Sequence, residues 1–171
     1  MAANTGLFEG EKVSSLMCFF PDKTVTRGQF LVMLVQALDI PTEDIAVQSL
    51  PQNTPQWLQP YLAAAIRSGL TAGLPEGEAF EADSPITGAE AAVLLQNALD
   101  LSVSQQTLSV YTETETEVPA WAAGALTILA ENGIFLDANA ALTRADTANL
   151  LYQVSILAVN APGTAVFKMQ Q

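Results

Sequence analysis

The sequence predicts an all-α protein: three helix-loop-helix repeats arranged pseudo-threefold around a central three-helix bundle. Three observations predict it. A four-residue word opening on threonine recurs as Thr26-Arg27-Gly28-Gln29, Thr87-Gly88-Ala89-Glu90 and Thr143-Arg144-Ala145-Asp146, each heading an aliphatic run. The words stand 61 and 56 residues apart, a near-constant period that marks one unit used three times. Upstream lie helix-ending glycines at Gly6, Gly69 and Gly133, 63 and 64 residues apart. Further upstream, Thr54-Pro55-Gln56-Trp57 matches Val118-Pro119-Ala120-Trp121.

The first unit, 1–40, has no counterpart to these Trp residues and reads as truncated at its front. A linker, 41–53, leads to the second unit, 54–101. There Thr54 reads as an N-cap and Pro55 as the first helical residue, where a missing N–H costs nothing. Trp57, Leu58, Tyr61, Leu62, Ala65 and Ile66 follow at helical spacing, with Gly69 as the positive-φ stop. Pro60 stands about one turn in, where it fits a helix poorly. A second linker, 102–117, precedes the third unit, 118–158, whose Pro119, Trp121, Ala125, Leu126, Leu129 and Gly133 repeat the pattern; 159–171 form a tail.

From helix-ending glycine to threonine the loops run 20, 18 and 10 residues, and such variation belongs in loops. Phe19 and Phe80, each seven residues before a threonine, are expected to plug the core. Counting on from each threonine, position seven holds Met33, Leu94 and Leu150. Position eight holds Leu34, Leu95 and Leu151, and position eleven Ala37, Ala98 and Val154. These share one helical face, so the three second helices are expected to pack together, with close approach at the small residues.

Half of the 171 residues are hydrophobic and 14% are charged, a composition for a packed core rather than for disorder. No apolar run approaches the ~18 residues of a membrane span, and Met1-Ala2-Ala3-Asn4 has no signal-peptide character. Net charge is −12, with six basic residues, which argues against nucleic-acid binding. The chain has no histidine, the commonest general base and zinc ligand. Cys18 is the sole cysteine, without partners for zinc or a disulfide, and reads as a small buried residue. Neither cofactor nor metal is expected. The alternating Thr112–Glu117 segment reads as a solvated linker without EF-hand spacing.

Each threonine, followed three residues on by Gln, Glu or Asp, reads as a capping box. That explains the threonines but not Arg27 and Arg144, cations at the first helical position, where the macrodipole disfavours them. Two readings stay open: an internal ion pair to a neighbouring unit, or a carboxylate or phosphate site made by a guanidinium and a helix start.

At this point the residues resemble the S-layer homology domain. The Trp near the first helix start, the Gly-Leu or Gly-Ile stop, Phe19-Phe20-Pro21-Asp22-Lys23-Thr24-Val25-Thr26-Arg27, Leu74-Pro75-Glu76-Gly77 and the threonine words carry the likeness over about residues 2–158. The resemblance implies a pseudo-threefold domain that anchors bacterial surface proteins to secondary cell-wall polysaccharide, often pyruvylated, at grooves between repeats. It implies extracellular, cell-wall or S-layer localisation, and a non-catalytic role. Carried over by residue, it points to Arg27 and Arg144 with Thr26 and Thr143 beside them; Trp57 and Trp121 line groove walls or pack in the core, the latter being the first expectation. Unit two departs from the pattern with Gly88 in place of the arginine. The alternative function is a structural or assembly module contacting protein, with self-association through the incomplete first unit. An enzyme ranks third, with Glu76, Glu78, Glu81 and Asp83 as its candidate carboxylates.

Overall fold

The computed structural model describes residues 11–13, 16–43, 50–75, 80–101 and 118–160. Among them five helices dominate: α1 (Arg27–Ala37), α2 (Gln59–Arg67), α3 (Gly88–Ala98), α4 (Ala120–Glu131) and α5 (Arg144–Asn160). A short antiparallel hairpin, β1 (Glu11–Val13) and β2 (Leu16–Cys18), pairs Lys12 with Met17. The described residues are helical in class as expected, and this short hairpin is a small addition to the helices. Its two apolar-containing triplets are too short to nucleate helix, and they lie in the longest of the three loops. Cys18, at the end of β2, is half-buried rather than a core residue.

The helix starts form as the threonine words predict. Thr26 and Thr87 hold full capping boxes with Gln29 and Glu90. Thr143 reproduces the box with the shorter Asp146: its N–H donates to Oδ2 at 3.0 Å, and its Oγ1 accepts from the Asp146 N–H at 3.1 Å. The start of α2 does not follow prediction. Thr54 donates its hydroxyl to the Pro51 carbonyl instead of capping, and residues 56–58 form a turn. Pro60 is the reason: it cannot donate back to Gln56, so the helix begins at Gln59 and Pro60 becomes its second residue.

Helices α1 to α4 all end on the same Schellman pattern, for example Ile134 N–H to the Leu129 carbonyl at 2.8 Å and Ile40 N–H to Val35 at 3.1 Å. The left-handed residue is Gly69 or Gly133 after the first helices but Asp39 or Asp100 after the second.

All nine residues at positions seven, eight and eleven after the threonines are buried. They join one core with Leu58, Leu62, Leu126 and Leu129, and Phe19 and Phe80 pack against it as expected. The closest helix pairs are α3 with α4 and α1 with α2. The close approach expected among α1, α3 and α5 is not what the small residues serve. Ala63, Ala64 and Ala65 of α2 and Ala122 and Ala125 of α4 are buried on the helices that make the close pairs.

One backbone feature ties the chain together. The residue before each motif threonine donates to the next loop in a closed cycle. Val25 N–H bonds Leu142 at 2.9 Å, Leu142 bonds Ile86 at 3.0 Å, and Ile86 bonds Val25 at 3.0 Å. All three side chains are buried, so the cycle is shielded from water and each bond counts.

Candidate functional site

Each second helix begins against the loop of another unit, and these seams are where the predicted residues fall. The first N–H of each helix donates to a loop carbonyl: Arg27 to Ser84 at 2.9 Å, Gly88 to Ala140 at 3.0 Å, Arg144 to Lys23 at 2.8 Å. The second does likewise, from Gly28 to Ala82, Ala89 to Ala138 and Ala145 to Pro21. The third is taken by the threonine hydroxyl. The helix starts are therefore saturated. The expectation that they cradle an anion fails, because their donors already close the inter-unit seams. Thr26 and Thr143 are likewise engaged in caps, and any anion must be met by side chains.

At the α1 seam Arg27 is held by two carboxylates. Nη1 lies 2.8 Å from Glu81 and Nη2 2.6 Å from Glu90. Burial opposes the charge of Arg27, but the hydrogen bonds and charges of Glu90 and then Glu81 outweigh it and raise its pKa above the ordinary value. The internal ion pair, one of the two open readings, is the observed one here. Trp57 covers Gly28: a Cβ there would meet the Trp57 ring at 2.6 Å. The ring is 49% exposed, and Trp121 is 39% exposed. The core role first expected for both Trp residues is corrected; each precedes or opens its helix at the surface, with its indole only partly covered.

At the α3 seam the Asp137 backbone lies directly against Gly88, with the Leu136 side chain 3.4 Å from where a Cβ would stand. The place of the motif arginine is filled by protein. This segment belongs to the third loop, the shortest of the three.

The α5 seam is different. Arg144 lies over the Phe19 ring, 5.1 Å from its centroid. The segment that receives its backbone N–H lines a pocket of 360 Å³ formed by Phe20, Pro21, Asp22 and Lys23. Phe20 is exposed and has φ 50, in the left-handed region that bulky residues avoid. Lys23 N–H closes this turn on the Phe20 carbonyl at 3.1 Å. In the register of the threonine words, Phe20 matches Glu81 and Gln29 matches Glu90. The two carboxylates that hold Arg27 thus have uncharged counterparts in the first unit, which faces Arg144.

Sequence reasoning missed Phe20, Lys23, Glu81 and Glu90 as seam residues. The signal was present: the position six before each threonine reads Phe20, Glu81 and Asp137. Among the enzymatic candidates, Glu81 serves the ion pair, Asp83 is exposed, and Glu76 and Glu78 lie outside the described residues. Also outside them are Gly6, the Thr112–Glu117 segment and the tail from Ala161. Among the described residues no group of three His, Cys, Asp or Glu could hold a metal, and no helix is long and apolar enough to cross a membrane.

Comparison with known proteins finds likenesses over part of the chain. Residues 51–92, from before α2 to the middle of α3, match the S-layer homology domain. The chain is similar to the S-layer protein sap of Bacillus anthracis, 31% identical over 118 residues that cover 68% of this chain. An S-layer protein of Bacillus thuringiensis subsp. finitimus is similar over the same extent. The chain spans about 14% of the length of either relative.

Proposed function

We propose that the chain is a non-catalytic cell-surface anchoring module that binds an acidic secondary cell-wall polysaccharide outside the cell, at the seams between helix starts and loops. The observation that carries this is the α5 seam, where the Arg144 guanidinium stacks on Phe19 and the Arg144 N–H bonds the carbonyl of Lys23, a residue of the neighbouring pocket wall. A cation answers a sugar carboxylate, and an exposed aromatic face suits the apolar face of a pyranose. At net charge −12 the protein repels polyanions at long range, so recognition must be local. The likeness to S-layer proteins supports the reading. The finer architecture, three units about a pseudo-threefold axis, is supported by the closed cycle through Val25, Ile86 and Leu142.

Co-sedimentation with cell-wall sacculi, with and without their attached polymer, tests it. Polymer-dependent sedimentation that is lost in the Arg27→Ala/Arg144→Ala double variant is expected. Sedimentation that ignores the polymer, or survives both substitutions, overturns it.

One observation favours the assembly reading. Tyr152 and Ile156, one turn apart on α5, are both exposed, whereas Val35, which matches Tyr152 on α1, is buried. A protein contact on this face predicts self-association by light scattering that Tyr152→Ser/Ile156→Ser abolishes. A strict monomer at high concentration rules it out.

A further inference from the structure

We infer that the open face of α5 is the interface of a twofold dimer, in which two copies of the chain lay this helix antiparallel. The inference rests on the protein-contact reading of that face and names its partner, register and symmetry; anchoring stands apart from it.

The face is defined by comparison within the molecule. Counted on from the motif threonines, positions two, five, six and nine are Gly28, Leu31, Val32 and Val35 on α1, and Ala89, Ala92, Val93 and Gln96 on α3. All of these are buried or half-buried. Both helices are closely paired, α1 with α2 and α3 with α4, and the Trp57 ring just ahead of α2 lies against Gly28. On α5 the same positions hold Ala145, Ala148, Asn149 and Tyr152. Ala148 is half-buried and the other three are exposed. Among the described residues α5 has no helix partner as close as those of α1 and α3. Steps of four and three residues from Ala145 through Asn149 to Tyr152 make the seam of a helix pair, so the fitting occupant is again a helix.

The side chains say which helix. None of the four is charged, on a chain of net charge −12, so two copies can meet here without pressing like charges together. The stripe complements itself when reversed. An antiparallel partner sets small Ala145 opposite bulky Tyr152 at both ends. A parallel one stacks Tyr152 on Tyr152, leaves a gap between the alanines and brings the two flanking Asp146 carboxylates side by side. In the antiparallel register the midpoint falls between Ala148 and Asn149. Ala148 permits close approach, and Asn149 meets its own copy across the twofold axis, where each amide both donates and accepts. The matching residues, Val32 and Val93, are apolar, so this amide is particular to α5; a lone Asn in a helix seam fixes register. Reversal also sets the negative end of each helix dipole beside the positive start of the other, and the last turn of α5 has no basic residue of its own for that role. From Ala145 to Tyr152 the seam is about 10 Å long, so the dimer is a weak one.

Sedimentation equilibrium and cysteine cross-linking of the full chain, carrying Cys18→Ser so that each variant has one thiol, test this. A concentration-dependent monomer–dimer equilibrium is expected. Asn149→Cys should cross-link to itself, and Ala145→Cys should cross-link to Tyr152→Cys in a mixture but not to itself. Ala145→Glu puts a charge into the seam at an exposed site, and should weaken dimerisation at least about tenfold with unchanged circular dichroism. Cross-linking of Tyr152→Cys to itself overturns the antiparallel register and leaves the protein contact standing. Full dimer affinity in Ala145→Glu means another surface is used and overturns the inference. A monomer that dimerises only after residues 161–171 are deleted carries its own cover, which overturns it too. A strict monomer in every form sinks the protein-contact reading and this one together.

Discussion

A side chain on Gly88 would run into the backbone carbonyl of Asp137. The obstacle is main chain, which cannot rotate away. Gly88→Ala should therefore destabilise the fold by about 2–3 kcal/mol, as overpacking of a rigid site does. Gly28→Ala meets the Trp57 ring at 2.6 Å, a half-exposed side chain that can swing outward. It should cost about 1 kcal/mol. Urea unfolding of the two variants checks the order; equal losses would mean that loop three yields as readily as an indole.

The Arg27 clamp has unequal arms. Glu90 is mostly covered, while the Glu81 side chain is 63% exposed. Exposed pairs contribute little after solvent screening. A double-mutant cycle of Arg27→Met with Glu90→Gln should show a coupling of about 1 kcal/mol. The cycle with Glu81→Gln should stay below about 0.5 kcal/mol. Only the second should vanish in about 0.5 M salt. A larger coupling to Glu81 would reverse the assignment.

These seams mark where the sequence was legible and where it was not. The helix starts followed from local chemistry, since a hydroxyl and a carboxyl or amide three residues on satisfy each other without tertiary help. The core face followed from period and held at all nine positions. What failed was non-local. Nothing in Thr26-Arg27 says that Ser84 and Ala82 will take the first two N–H groups, because that depends on how another unit's loop docks. The absent arginine at position 88 was visible, but not that the Asp137 backbone of another unit's loop would lie against Gly88. Trp57 and Trp121 read as core on hydrophobicity alone, although Trp is seldom fully buried. The start of α2 was mispredicted by preferring Pro55 over Pro60 as the first-turn proline.

Thr147 predicts a stabilising substitution. It is fully buried in α5, and its Oγ1 has no hydrogen-bond partner. The matching residues are Phe30 in α1 and Ala91 in α3, both apolar. A buried hydroxyl without a partner forfeits its hydration for nothing. Thr147→Val keeps the shape and removes the group, so stability should rise by about 1 kcal/mol. A loss of similar size in urea unfolding would reveal a bond to that hydroxyl.

The four Schellman ends supply a matched comparison in one molecule. Gly69 and Gly133 hold φ 78 and 82 with nothing within 4 Å of where a Cβ would stand, so sterics with neighbours play no part there. Gly133→Ala should cost about 1 kcal/mol, the penalty of a left-handed L-residue. Asp100 occupies the same place after α3 with φ 50, and already bears that strain. Asp100→Gly relieves it, offset in part by greater freedom of the unfolded chain, for a net gain of about 0.5 kcal/mol. Thermal unfolding of both variants should therefore move in opposite directions. If Asp100→Gly is instead destabilising, the aspartate side chain, rather than the backbone, governs how α3 ends.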